Sequence, residues 1–94
     1  MENPLRQFLR RTNLKQSEFC RLREPPFAET IVSEWLRDVR HPSLESASEI
    51  EAVTTRAWRN KVVKRARPVT VGQWIEYRRH INQRTAEPGT STQG

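Results

Sequence analysis

Apolar positions recur at three- and four-residue spacing along the first half of the chain, which predicts a series of short amphipathic helices. Asn3 before Pro4 is a favourable helix opening, because asparagine caps exposed amides and proline is tolerated in the first turn. Helix 1 is predicted to begin there, and a short helix 2 follows over residues 15–23. Pro25 and Pro26 must end helix 2, since neither residue donates the amide hydrogen that a helix needs.

The strongest apolar face begins after Ala28 and predicts helix 3. Pro42 closes the next connection, and Ser43 is then expected to cap helix 4. The side chains expected to face inward from helix 3 are Ile31, Val32, Trp35 and Leu36. Those expected to face inward from helix 4 are Leu44, Ala47, Ile50 and Val53. No segment within residues 3–54 alternates as a strand does, so the sequence predicts an all-α bundle.

A short sequence motif occurs twice in the second half of the chain, at Val53–Trp58 and at Val69–Trp74. In each copy a threonine can cap a helix while the preceding valine packs on the tryptophan, which predicts two further helix starts. The last predicted helix has an apolar side that needs either the bundle or a second copy of the chain as its partner. The residues of that side, and the candidates for a dimer interface, are Val71, Trp74, Ile75 and Ile81.

The segment between these two starts is rich in basic residues. It is predicted as a basic helix, but the alternative of a short strand over residues 61–69, pairing across a dimer, stays open. The tail over residues 85–94 is polar and is expected to be disordered. The sequence thus predicts four to six helices, divided into a helix-turn-helix bundle (1–54), a basic helical extension that acts as a dimerisation element (55–84) and the disordered tail (85–94).

Charge is distributed unevenly along the chain. The net charge of +6 suits a nucleic-acid partner, because basic surfaces attract phosphates and release counterions. Residues 1–54 hold eight Lys or Arg against nine Asp or Glu, whereas residues 55–94 hold nine against two. The basic stretch after residue 55 is therefore the expected source of long-range attraction to DNA, or else a solubilising linker.

Several classes of protein do not fit the sequence. No apolar run approaches the roughly 20 residues that span a bilayer, and the N-terminus resembles no secretory leader, so we expect a cytoplasmic chain. The single Cys20 allows no internal disulfide. His41 and His80 lack acidic or cysteine partners at ligand spacing, and no nucleophile with a base is visible. We therefore expect no metal, no cofactor, no small-molecule ligand and no enzymatic activity.

Four pieces of the sequence fall in the order and spacing of a known family of DNA-binding proteins. They are Leu14–Cys20, Ile31–Leu36, Arg40–Ser43 and Ile50–Glu51. Over this half of the chain the sequence resembles the Cro/CI-type (XRE) helix-turn-helix of phage repressors and related bacterial regulators, with a lambda-repressor-like bundle.

The resemblance has two departures in the loops. The turn at residues 24–27 is longer than the family's, and Asp38 stands where the family commonly has glycine after helix 3. The resemblance implies that helix 3 is the recognition helix of a DNA-binding regulator. Contacts with base edges are then expected from Glu29, Thr30 and Ser33. Contacts with phosphates are expected from Gln16, Arg37, Arg40 and His41, and in the basic stretch from Arg56, Arg59, Lys61 and Lys64.

The resemblance further implies a homodimeric phage- or prophage-type repressor bound to an inverted-repeat operator. A close alternative is an antitoxin that represses its own operon. A different class of function is a helical module that binds a host or phage protein through Trp74 and Ile81.

Overall fold

The computed structural model describes the backbone of residues 1–63 and 66–93, and the side chains within these ranges as far as Asn82. Five helices account for the secondary structure of the described residues, which confirms the predicted all-α class. The helices are α1 (Pro4–Thr12), α2 (Gln16–Cys20), α3 (Glu29–Leu36), α4 (Leu44–Arg59) and α5 (Val71–Gln93). The described backbone of residues 85–93 belongs to α5, so the disorder predicted for the tail is wrong over that range, whose side chains lie outside the described part.

Three helices begin at the capping residues that the sequence predicts. The Asn3 side chain accepts hydrogen bonds from the amides of Leu5 and Arg6 at 2.9 and 3.1 Å. Ser43 caps α4 by accepting from the Ser46 amide. At α5, Thr70 and Gln73 exchange two bonds, since the Gln73 amide donates to Thr70 Oγ1 and Gln73 Oε1 accepts from the Thr70 amide. These caps satisfy amides that would otherwise lack partners.

Three helices are followed, within two positions, by a non-glycine residue in the left-handed conformation. Asn13, Asp38 and Lys61 have φ values of 60, 61 and 59°. Asparagine and aspartate tolerate this conformation better than other side chains do. Asp38 therefore closes the loop after α3 in the backbone conformation that glycine would supply.

The connection between α2 and α3 is longer than predicted. Helix α2 ends at Cys20 rather than near residue 23, so the eight residues from Arg21 to Ala28 join the two helices. The connection is anchored by Phe27, whose ring stacks on Phe19 with centroids 5.6 Å apart and whose amide donates to the Cys20 carbonyl. The pattern at residues 15–23 predicts one more turn of α2. In its place, the connection is held against the core by the buried Phe27.

The predicted helix start at Thr54 is wrong. Helix α4 continues through this position to Arg59, and the predicted boundary between residues 54 and 55 falls inside it. The Thr54 hydroxyl donates to the Ile50 carbonyl within the helix and accepts from the Val69 amide at 2.9 Å. Beyond Lys61, the described residues up to Thr70 form neither the predicted helix nor the alternative strand.

A single buried core includes residues from both halves of the chain. Val63, Ala66, Val69, Trp74 and Tyr77 belong to the same cluster as the side chains of α1 to α4. The principal members contributed by α1 to α4 are Leu5, Phe8, Phe19, Val32, Trp35, Ala47, Ile50 and Val53. The apolar side of α5 is therefore covered mainly by the bundle.

Two side chains that periodicity places in the core lie on the surface instead. Ile31 on α3 is 40% exposed, and Leu44 in the first turn of α4 is 68% exposed. Periodicity identifies the apolar side of a helix, but the width of the buried part depends on the neighbouring helices.

Candidate nucleic-acid interface

The first turn of α3 presents polar side chains to solvent. Glu29 and Thr30 are exposed, as the sequence predicts, whereas Ser33 is half-buried. On the opposite side, Val32 is fully buried and Trp35 is 3% exposed. The Trp35 ring packs edge-on against Phe27 with centroids 5.8 Å apart, which holds α3 firmly against the loop that precedes it.

The start of α2 is bonded directly to the start of α3. Gln16 Nε2 donates to the Glu29 carbonyl at 2.8 Å. The sequence predicts a phosphate contact for Gln16, and this bond uses one of its two amide hydrogens. The bond also fixes the first turn of α3, where the candidate residues for reading bases lie.

Two exposed arginines follow the candidate base-contacting residues near the end of α3. Arg37 Nε donates to the Ser33 carbonyl at 3.4 Å, and the Arg40 guanidinium lies 3.7 Å from a Glu34 carboxylate oxygen. The Arg40 side chain is 66% exposed, so water screens this pair and it adds little stability. Both guanidinium groups are accessible for the phosphate contacts predicted from the sequence.

His41 is held differently from the two arginines. It is half-buried, and its ring meets that of Tyr77 edge-on with centroids 6.1 Å apart. The predicted phosphate contact at His41 therefore involves a side chain that also packs against α5.

Asp38 links three helices at the end of α3. Asn3 Nδ2 donates to Asp38 Oδ1 at 2.9 Å and to the Trp35 carbonyl at 2.8 Å. The Tyr77 hydroxyl donates to Asp38 Oδ2 at 2.9 Å, and the Arg6 guanidinium lies 3.6 Å from the same oxygen. The beginning of α1, the end of α3 and the body of α5 are thus joined through one carboxylate.

This cluster was not predicted from the sequence. The capping role of Asn3 could be inferred locally, but its partners in α3 lie more than 30 positions away. Tyr77 stands three positions after Trp74, which places both on one side of α5. That spacing was the only signal that Tyr77 belongs to the core.

Apart from Gln16 at the start of α2, the predicted phosphate contacts form two separate groups. Arg37, Arg40 and His41 lie between α3 and α4, whereas Arg56 and Arg59 are exposed in the last turn of α4. At 1.5 Å per residue, the length of α4 separates its two ends by roughly 20 Å. Lys61 is exposed beside the second group, and Lys64 lies outside the described residues.

The predicted dimer residues have different surroundings. Trp74 is only 4% exposed and packs in the core, so its assignment to a dimer surface is wrong. Val71 and Ile81 are half-buried against the same core, whereas Ile75 is 44% exposed. Ile75 and Leu44 line one small cavity of about 40 Å³ together with His41 and Pro42. The exposed apolar surface on this side of the bundle therefore lies between α4 and α5.

None of the helices within the described residues has the length and hydropathy required to traverse a bilayer. Across the same part of the chain, no three His, Cys, Asp or Glu side chains group in a way that would hold a metal ion. The chain matches no protein-family model, no curated protein and no solved structure.

Proposed function

We propose that this protein is a sequence-specific double-stranded DNA-binding transcriptional regulator that reads the major groove with α3. The observation that carries the proposal is the division of α3 into two sides. Its first turn exposes Glu29 and Thr30, while Val32 and Trp35 on the other side are buried. A recognition helix needs this combination, because base edges must meet polar side chains while the helix stays anchored in its domain.

Each candidate residue has a chemistry suited to a base edge or a phosphate. The Glu29 carboxylate can accept from a cytosine amino group, and the Thr30 methyl group can contact a thymine methyl group. Ser33, one turn further along, can donate or accept. Arg37 and Arg40 would position the helix through phosphates, which adds affinity without sequence preference.

The proposed regulator acts as a homodimer whose two copies of α3 contact half-sites about 34 Å apart, one turn of DNA. The exposed Leu44 and Ile75 offer the apolar area for the contact between copies. An inverted-repeat operator follows from two-fold symmetry. The resemblance to the Cro/CI family supports a phage-type repressor, and an autoregulatory antitoxin belongs to the same class of function.

The alternative function, a protein-binding module acting through Trp74 and Ile81, has less support. Trp74 is buried within its own chain, so a partner would have to unpack the core to contact it. Disrupting a packed core costs several kcal/mol for a large aromatic residue, on the order of 3–5 kcal/mol.

Selection of bound sites from random duplex DNA tests the proposed function, because it reports specificity, symmetry and half-site spacing together. We expect an inverted repeat to be enriched. Glu29→Gln should change the preferred base at one position in each half-site. Arg40→Ala should weaken binding to the selected site and to random duplex alike, with a smaller dependence on salt.

Arg11→Ala on α1 is the matched control for the loss of one exposed positive charge. It should leave the preferred sequence unchanged and affect affinity less than Arg40→Ala does. Absence of any enriched sequence at moderate salt would refute the proposed function. An unchanged salt dependence in Arg40→Ala would remove that residue from the phosphate contacts.

A further inference from the structure

A cavity between α1 and α5 is lined by four residues whose side chains carry hydrogen-bond donors. Gln7 and Arg11 line it from α1, where their spacing of four places them on one side of the helix. Arg67 lines it from the segment that leads into α5, and Gln73 lines it from the first turn of α5. The volume is about 260 Å³, and we name this space the α1–α5 cavity.

The polar groups of this wall are almost all donors. Each guanidinium group carries five N–H donors and no acceptor, and each glutamine amide carries two N–H donors. Gln73 Oε1 already accepts a hydrogen bond from the Thr70 amide at 2.8 Å, so the donating Nε2 group is the part of this side chain left for a ligand. The α1–α5 cavity therefore suits a ligand that accepts hydrogen bonds.

The charge of the wall is positive. The chain has neither Asp nor Glu over residues 3–17 or 52–75, the two stretches that supply the arginines. Arg10 pairs with Glu2 at 2.7 Å, whereas neither Arg11 nor Arg67 forms an ion pair within the described part of the chain. Two like charges on one cavity repel each other, and an anion bound between them would relieve this repulsion.

The cavity has a fixed floor and an accessible rim. Phe8 and Val69 also line it, and each is only 2% exposed. The Val69 amide is held by its hydrogen bond to Thr54 Oγ1 at 2.9 Å. The two glutamines of the wall are half-buried and the two arginines are exposed. A ligand would thus meet a wall that is largely in place, which lowers the entropic cost of binding.

A phosphomonoester matches this wall better than a carboxylate or the DNA backbone does. It presents three acceptor oxygens and about two negative charges near pH 7, so it can pair with two guanidinium groups and still accept from an amide. A carboxylate has two oxygens and one charge. Each phosphate of DNA likewise carries one charge. The volume lies just below the range of roughly 300–1,000 Å³ typical of small-molecule sites, which suits a compact ligand.

We propose that the α1–α5 cavity binds the phosphate group of a small phosphorylated molecule. The phosphate oxygens accept hydrogen bonds from Arg11 and Arg67, and the amides of Gln7 and Gln73 donate to the oxygens that remain. None of these four residues belongs to the candidate contacts with bases or DNA phosphates. The site therefore goes beyond the proposed function and does not depend on it.

The test is an NMR titration of the isotope-labelled full chain with methyl phosphate, a minimal phosphomonoester, at constant ionic strength. We expect saturable shifts of the side-chain amide signals of Gln7 and Gln73. Acetate, the matched carboxylate probe, should need a roughly tenfold higher concentration for the same shifts, because it offers fewer oxygens and half the charge.

Arg11→Ala combined with Arg67→Ala should weaken the binding of methyl phosphate roughly tenfold or more, since both charge-assisted contacts are lost. Each single variant should show part of this loss. The matched control is Arg21→Ala combined with Arg79→Ala, which removes the same charge at exposed positions outside the cavity. It should alter the affinity by no more than about twofold. Circular dichroism checks that the helices persist in every variant.

Three results would overturn the proposal. Equal losses in the two double variants would show a general attraction between charges, and acetate binding as tight as that of methyl phosphate would show no preference for a phosphate group. If Arg11→Ala combined with Arg67→Ala instead lowers affinity for the selected duplex as much as Arg40→Ala does, the cavity holds DNA phosphates. The titration itself requires no DNA, so it decides the proposal even if no duplex sequence is enriched.

Discussion

The Tyr77 hydroxyl lies 2.9 Å from Asp38 Oδ2, and this hydrogen bond joins α5 to the turn that follows α3. We expect Tyr77→Phe to lower the free energy of unfolding by about 1–2 kcal/mol, because the bond has a carboxylate acceptor in a partly buried place. Urea denaturation measures the change as a lower midpoint with an unaltered slope.

If Tyr77 also positions α3, the same substitution should weaken binding to the selected DNA site more than binding to random duplex. Glu76→Gln, at an exposed neighbouring position, is the control. A Tyr77→Phe chain with an unchanged urea midpoint would contradict the stabilising role.

Asn3 makes four hydrogen bonds from a position that is 1% exposed. Asn3→Ala removes the cap of α1 and leaves the Trp35 carbonyl without this donor, so we expect a loss of about 2–3 kcal/mol. Ser43→Ala removes an exposed cap from α4 and should cost only about 1 kcal/mol. Equal midpoints for the two variants in urea denaturation would show that the contacts of Asn3 with α3 contribute nothing.

Thr54 connects α4 to the chain segment that leads into α5. Thr54→Val keeps the shape of the side chain but removes the acceptor of the buried Val69 amide, which should cost about 1–3 kcal/mol. Amide hydrogen exchange gives the specific signal, since the Val69 amide should exchange faster in Thr54→Val than in Thr54→Ser. Equal protection of this amide in both variants would argue against the bond.

Two of the three left-handed residues, Asp38 and Lys61, should respond oppositely to substitution by glycine. Lys61→Gly relieves an unfavourable conformation and loses no hydrogen bond of the side chain, so we expect a gain of about 0.5–1 kcal/mol. Asp38→Gly gains the same relief but removes the acceptor for Asn3 and Tyr77, and should cost about 1–3 kcal/mol net. Thermal unfolding of the pair checks the difference in sign.

The Cys20 thiol should be unreactive in the folded chain. Burial raises its pKa above the ordinary value, and the nearby negative charge of Glu29 raises the pKa further. Because the thiolate is the reactive form, labelling by a thiol reagent at pH 8 should be roughly 100-fold or more slower than in urea. Glu29→Gln should lower the thiol pKa slightly. Comparable labelling rates in buffer and in urea would contradict the buried position.

The helix starts could be predicted because they depend on local chemistry. Asn3, Ser43 and the Thr70–Gln73 pair cap helices with atoms within three or four positions along the chain. The exposed positions of α3 that carry the candidate base contacts could be predicted for a similar reason. The helical period that identifies the buried side of α3 also identifies its exposed side.

Other features depend on contacts between distant segments. Thr54 has the sequence context of a cap, but its hydroxyl bonds back to Ile50 within α4 and its lone pair accepts from Val69. The exposure of Ile31 and Leu44 depends on where neighbouring helices stop covering them. The contact of Asp38 with Tyr77 spans 39 positions, and no local pattern indicates it.

The shared core has a consequence for engineering this protein. Trp74 and Tyr77 of α5 lie in the same cluster as Trp35, which supports the proposed reading helix. A graft of residues 1–54 onto another protein would therefore transplant an incomplete scaffold. Retargeting to new DNA is better attempted by exchanging the exposed side chains of α3 within the intact chain, with Asp38 and its partners retained.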